Sequence, residues 1–120
     1  MKHQKDSFGE LVRRLRKIDV AVSGVDSWLL ETQNNWQIII MQFHRDFESN
    51  GFHINDYSQW GVVLKGEMTL CAPNKQILRR GDIFYIPANT SHRVEIKKGY
   101  RDITILDGIR YCNFLRKERR

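Results

Sequence analysis

Two periodicities divide the chain. Phe8, Leu11, Val12, Leu15 and Ile18 recur at spacings of three and four, which aligns them on one stripe of a helix. The pattern predicts a helix over Ser7–Ile18. Ser7 followed by Glu10 forms a capping box at its start. Arg13, Arg14, Arg16 and Lys17 crowd its last turns, where the helix dipole favours cations. A solvated basic face is the simplest role for them. After that stripe the pattern is one of strands and turns. Short strands are predicted at Trp28–Thr32, Trp36–His44, Gln59–Lys65, Glu67–Ala72, Gln76–Arg80, Ile83–Ile86, His92–Lys97 and Asp102–Leu106. Gly51–Gln59 is a strand or a bend that carries polar groups. Gly66, the CAPNKQ stretch, Arg80-Gly81-Asp82 and Lys98-Gly99 supply the turns. Ile38, Ile39, Ile40 and Met41 are continuously apolar, as suits a strand covered on both faces. Residues 109–118 fit a strand or a helix equally well.

About eight short strands with turn signals every 8–12 residues define an all-β sandwich or barrel. There is no βαβ alternation and no internal repeat, so the expected architecture is one β domain with an N-terminal helix. One strand has two apolar faces. Trp60, Val62 and Leu64 oppose Gln59, Gly61 and Val63. Its outer face must be covered by the second sheet, by the N-terminal helix or by a second subunit.

Composition narrows the class. At 120 residues, 41% of them hydrophobic, the chain suits one globular domain with a real core. No apolar run approaches the ~18 residues of a membrane span, and the opening MKHQKDSFGE lacks the apolar segment of a signal peptide. Cys71 and Cys112 have no CxxC spacing, which suits a reduced pair and a cytoplasmic protein. The net charge of +6 is all terminal. Residues 1–17 and 116–120 together carry ten basic and three acidic side chains, and the stretch between carries ten and eleven. No aromatic residues interleave with the basic ones, so nucleic acid is not an expected partner.

The chemistry concentrates in the β part. His92, Val94 and Ile96 share one side of their strand, and Arg93, Glu95 and Lys97 the other. An imidazole thus shares the core-facing side. His53, Asn55, Tyr57 and Gln59 are each two apart, and point the same way if that segment is extended. Two histidines, two amides and a phenol then converge in an apolar interior, the ordinary make-up of a ligand or metal site. The competing explanation is a core histidine bonded to a neighbour. His44, at a strand end, takes such a local role, and His3 takes none. No clear acid–base pair is visible. Asp56 and Asp82 adjoin these residues but point away by parity, and Glu67 belongs to the turn after Gly66.

At Gly81, Pro87 and His92 in GDIFYIPANTSH the chain agrees with the second motif of the cupin superfamily. QWGVVLKGEM resembles the end of the first motif, where a strand runs into a Gly-Glu turn, here Gly66-Glu67. The resemblance covers residues 48 to 106 and is to small, single-domain, RmlC-like cupins. It implies a double-stranded β-helix, a jelly-roll barrel, with a short N-terminal α-helix. The implied organisation is a helix and lead-in over 1–25, a barrel over 26–115 and a basic tail over 116–120. It places His53, Asn55, Gln59 and His92 at the four metal-ligand positions. The family's leading Gly position is occupied by Phe47, its trailing Asn position by Ile96, and its Glu by Gln59.

That altered set changes the expected chemistry. Imidazoles suit a divalent transition metal such as Fe, Mn, Ni, Zn or Cu. Gln59 removes the carboxylate, so a divalent ion would leave the site at +2 and favour an anionic ligand. The resemblance therefore implies a cupin that binds a divalent metal, a small molecule, or both inside the barrel, with Tyr57 and Asn55 orienting the substrate. It assigns no reaction. The alternatives are a metal-free metabolite-binding or sensing module without catalysis, and an assembly protein with a vestigial cavity. It also implies a homodimer.

Overall fold

In the computed structural model, which describes residues 7–32, 34–108 and 110, ten strands follow one short helix. The helix α1 (Ser7–Val12) leads to β1 (Arg16–Ile18), β2 (Val25–Glu31), β3 (Gln37–Phe43), β4 (Phe47–Glu48) and β5 (Gln59–Lys65). Then come β6 (Glu67–Cys71), β7 (Lys75–Arg79), β8 (Ile83–Ile86), β9 (Arg93–Ile96) and β10 (Arg101–Leu106). They form a six-stranded sheet in the order β1-β2-β3-β10-β5-β8 and a four-stranded sheet in the order β4-β9-β6-β7. Every pairing is antiparallel. The chain passes repeatedly from one sheet to the other, which gives the jelly roll.

Alternation sets the register. Thr104 pairs with Ile39 on one side and Gly61 on the other, and Asp102 with Met41 and Val63. Ile39, Val63 and Leu106 are among the most buried side chains, so this is the face between the sheets. A Cβ on Gly61 would overlap the ring of Phe84, which fills that space. Phe43, Met68, Leu70 and Tyr100 join Phe84 in the main apolar cluster. A second cluster of Ile18, Leu29, Ile39 and Leu106 closes the other end.

The outer face of the large sheet is covered only in part. Phe8 of α1 meets Trp28 edge-on at 5.6 Å, and the Arg101 guanidinium lies 4.2 Å above the Phe8 ring. Further along, Trp60 is stacked between Trp36 at 5.9 Å and Tyr85 at 5.0 Å. Trp36, Tyr85, Leu30 and Ile83 remain exposed there.

The helix is shorter than its stripe suggests. It ends at Val12, and Arg16–Ile18 pairs with Ser27–Leu29 instead. The free edge of β2 offers backbone partners, and Ile18 gains burial in the second cluster, so tertiary contacts override the local period. Glu10 reaches Arg13 at 3.0 Å. The described residues form ten strands rather than eight, because β1 and β4 are too short for alternation to register. Cys112 and nearly all of 109–118 lie outside the described residues. No described helix is long and apolar enough to cross a membrane.

Candidate functional site

Backbone pairing builds the site. His53 and His92 face each other in an isolated antiparallel bridge. The His53 N–H donates to the His92 carbonyl at 2.7 Å, and the His92 N–H donates back at 2.9 Å. Residues so paired carry their side chains on the same face of the ladder. His92, Val94 and Ile96 point inward, as their alternation predicts, and Ile96 lies in the main cluster. His92 is buried, while His53 is exposed at the rim. The Nδ1 of His92 lies 3.0 Å from the Thr90 carbonyl. A carbonyl only accepts, so Nδ1 carries the proton of the neutral ring and Nε2 keeps its lone pair. That is how a ligating or proton-accepting imidazole is set up.

The flanking segments run along each other for several residues. Ser49 exchanges backbone and hydroxyl bonds with Val94. Asn55 accepts from the Asn89 N–H at 2.7 Å. The Ser58 hydroxyl accepts from the Ala88 N–H at 3.0 Å, and the Ser58 N–H donates to Asp107 at 2.7 Å. The polar wall is therefore an ordered strip, with Ser49 at one end, the histidine pair in the middle, and Asn55 towards the other end.

This strip borders a cavity of about 510 Å³. His53, Asn55 and His92 line it, together with an apolar wall that includes Val25, Met41, Phe43 and Phe47. Such a volume suits a small organic ligand. Gln59 and Tyr57 are not among the lining side chains. Gln59 opens β5, half-buried between Leu106 and Ile86. Residues 54–58 form no strand, so the alternation from His53 to Gln59 is interrupted by a bend at Asp56 and Tyr57. Tyr57 packs against the second cluster. Burial pushes its phenol up, and the Arg110 guanidinium pulls it back.

Arg110 also lines the cavity, and nothing in the sequence marked it. Its N–H donates to Oε1 of Gln37 at 2.9 Å. Gln37 is buried, so this bond anchors the chain beyond β10 over the cavity. His44 has a local role: its Nε2 lies 2.7 Å from Asp26 on the surface. Glu67 opens β6, half-buried, and pairs with Arg79 at 3.3 Å.

A jelly-roll barrel with a histidine delivered to its cavity by a Gly-Pro-His loop is the architecture of a cupin domain. The chain belongs to the cupin family: the cupin domain model matches residues 40–107. Solved structures agree on the fold. An RmlC-like cupin from Shewanella frigidimarina is 18% identical, with 94% of this chain and 96% of that one covered at a TM-score of 0.72. KdgF from a Halomonas species is 20% identical, covering 82% of this chain and 90% of that one, at a TM-score of 0.70. A deletion mutant of Bacillus subtilis oxalate decarboxylase is 13% identical over 81% of this chain and 28% of that one, at a TM-score of 0.62. No curated protein matches the sequence.

Proposed function

We propose that the barrel cavity binds a small molecule beside a divalent transition metal held by His53 and His92. The histidine bridge carries this reading. It brings two imidazoles to one face, and the Thr90 carbonyl leaves Nε2 of His92 free to ligate. Asn55 is the third protein donor at the cavity. Among the described residues, no three His, Cys, Asp or Glu side chains come together. The protein's donor set is therefore two imidazoles and an amide, and coordination is completed from outside. Such a metal supplies Lewis acidity to a bound oxygen. The chain's own part is to orient the ligand along the polar strip and to exclude water with the apolar wall. The lack of a carboxylate beside the pair also favours a second reading, a metal-free binding module.

Metal content separates the two. Protein purified without a histidine tag should hold about one Mn, Fe, Ni, Cu or Zn per chain by mass spectrometry. His92→Ala and His53→Ala should each lower occupancy at least about tenfold. Wild type that stays empty after soaking in each ion would leave the metal-free reading.

We also propose a homodimer formed through the exposed aromatic row. Trp36 and Tyr85 stack on either side of Trp60, and Leu30 and Ile83 are exposed on the same sheet, while α1 meets that sheet at Trp28 and Arg101. An exposed apolar face can meet its own copy about a two-fold axis. Sedimentation should show twice the 14.3 kDa chain mass. Ile83→Lys, at a side chain 74% exposed, should return the monomer without loss of fold. A wild-type monomer at micromolar concentration would remove this proposal.

A further inference from the structure

The cavity has chemically different ends, and their order along the fold is readable. Arg110 is tied to Gln37, the first residue of β3. Phe47 packs its ring 5.7 Å from Phe43, the last residue of β3. Six residue steps of strand, roughly 20 Å, separate Gln37 from Phe43. Arg110 and the Phe43–Phe47 contact therefore stand at opposite ends of one strand. The histidine pair and Asn55 lie between them along the polar strip. Val25, Met41 and Phe43 form a continuous apolar floor, since Val25 pairs with Phe43 across β2 and β3.

Charges and apolar surface so placed select a ligand. A guanidinium binds a carboxylate with two parallel N–H donors. Asn55 and the imidazoles offer further polar contacts beside it. The floor rewards an apolar body by roughly 25 cal/mol per Å² removed from water. A cavity of about 510 Å³ lies within the range of small-molecule sites, so a body of several carbons fits.

We propose that Arg110 anchors the carboxylate of an amphipathic organic acid whose apolar body lies on the Val25–Met41–Phe43 floor. This rests on the reading that the cavity is the ligand site, and the experiment below separates the two. Arg110 is an exposed residue, and its backbone N–H rather than its side chain makes the bond to Gln37, so its substitution keeps that bond and spares the fold.

The test uses the full chain and three probes: hexanoate, hexanol and acetate. Binding is followed by titration calorimetry and by the NMR signals of the His92 ring. Hexanoate should bind wild type at least about tenfold more tightly than either hexanol or acetate. Arg110→Gln should weaken hexanoate about tenfold or more and leave hexanol unchanged. Arg110→Lys, which keeps the charge but loses the fork, should fall between. Hexanoate binding unchanged in Arg110→Gln, with the His92 signals still moving, would overturn the anchor and leave the cavity reading standing. Acetate binding as tightly as hexanoate would overturn the apolar body. If no probe moves the His92 signals, the cavity reading itself fails, and the anchor with it.

Discussion

Gly66→Ala is expected to lower stability by about 3–5 kcal/mol, and Gly81→Ala by about 1–2 kcal/mol. Both glycines close motif turns and both have positive φ, +84° and +90°. A side chain at either position strains the backbone. The difference is space. A Cβ at Gly81 meets nothing within 4 Å, whereas one at Gly66 lies 2.8 Å from the Cα of Tyr100. That neighbour is backbone and cannot rotate away. Tyr100 is also fully buried, and its N–H donates to the Lys97 carbonyl, so moving it disturbs the β9–β10 turn. Against a typical total of about 5–15 kcal/mol, the Gly66 substitution removes a large fraction. Urea unfolding followed by circular dichroism reads both costs. Equal costs for the two substitutions would show that φ alone matters and that the turn has room beside Tyr100.

Those two glycines illustrate what was legible in the sequence. Turn residues and strand alternation are local signals, so β5 and β8 have the boundaries the pattern predicts, and β3, β6, β7, β9 and β10 differ by one or two residues. Alternation and the absence of any helical crossover imply an all-β sandwich or barrel, and the jelly roll is what the cupin resemblance of the Gly81, Pro87 and His92 motif adds. The site was legible where it rests on the same signals. His92 lies inward by parity, and the Gly81, Pro87 and His92 spacing delivers it. Local pattern failed where long-range pairing decides. Arg16–Ile18 continues a helical stripe in sequence, yet pairs with β2. His53 faces His92 because two distant segments exchange backbone bonds, not because of its own neighbours. The bend at Asp56 and Tyr57 breaks a run of alternating polar residues that nothing nearby forbids. Arg110 reaches the cavity through one bond to a buried amide 73 positions earlier, and no local signal encodes that. Parity also places Asp102 inward, beside Met41 and Val63, and its burial is the origin of the second large effect.

Asp102→Asn should stabilise the protein at pH 8 and leave it almost unchanged at pH 4. Asp102 is buried in the core, and its Oδ2 accepts the Tyr100 hydroxyl at 2.8 Å. Burial raises its pKa from 3.8 to about 7, against the smaller opposing pull of Tyr100 and Thr104. The folded carboxyl therefore keeps its proton between about pH 4 and pH 7, where the unfolded one has lost it. The folded state binds more protons in that window, so stability falls as pH rises through it and levels off above 7. At about 1.36 kcal/mol per unit, the accumulated loss is on the order of 4 kcal/mol. Asparagine never ionises and can still accept from the Tyr100 hydroxyl through its carbonyl oxygen. Unfolding free energies of both proteins, measured in urea at each pH from 4 to 9, isolate the effect, because every other titrating group is common to the two. The gap should open between pH 4 and 7 in favour of Asp102→Asn and then stay constant. A gap that does not change with pH would mean that Asp102 is already ionised in the folded core at low pH, with its charge compensated by partners other than Tyr100.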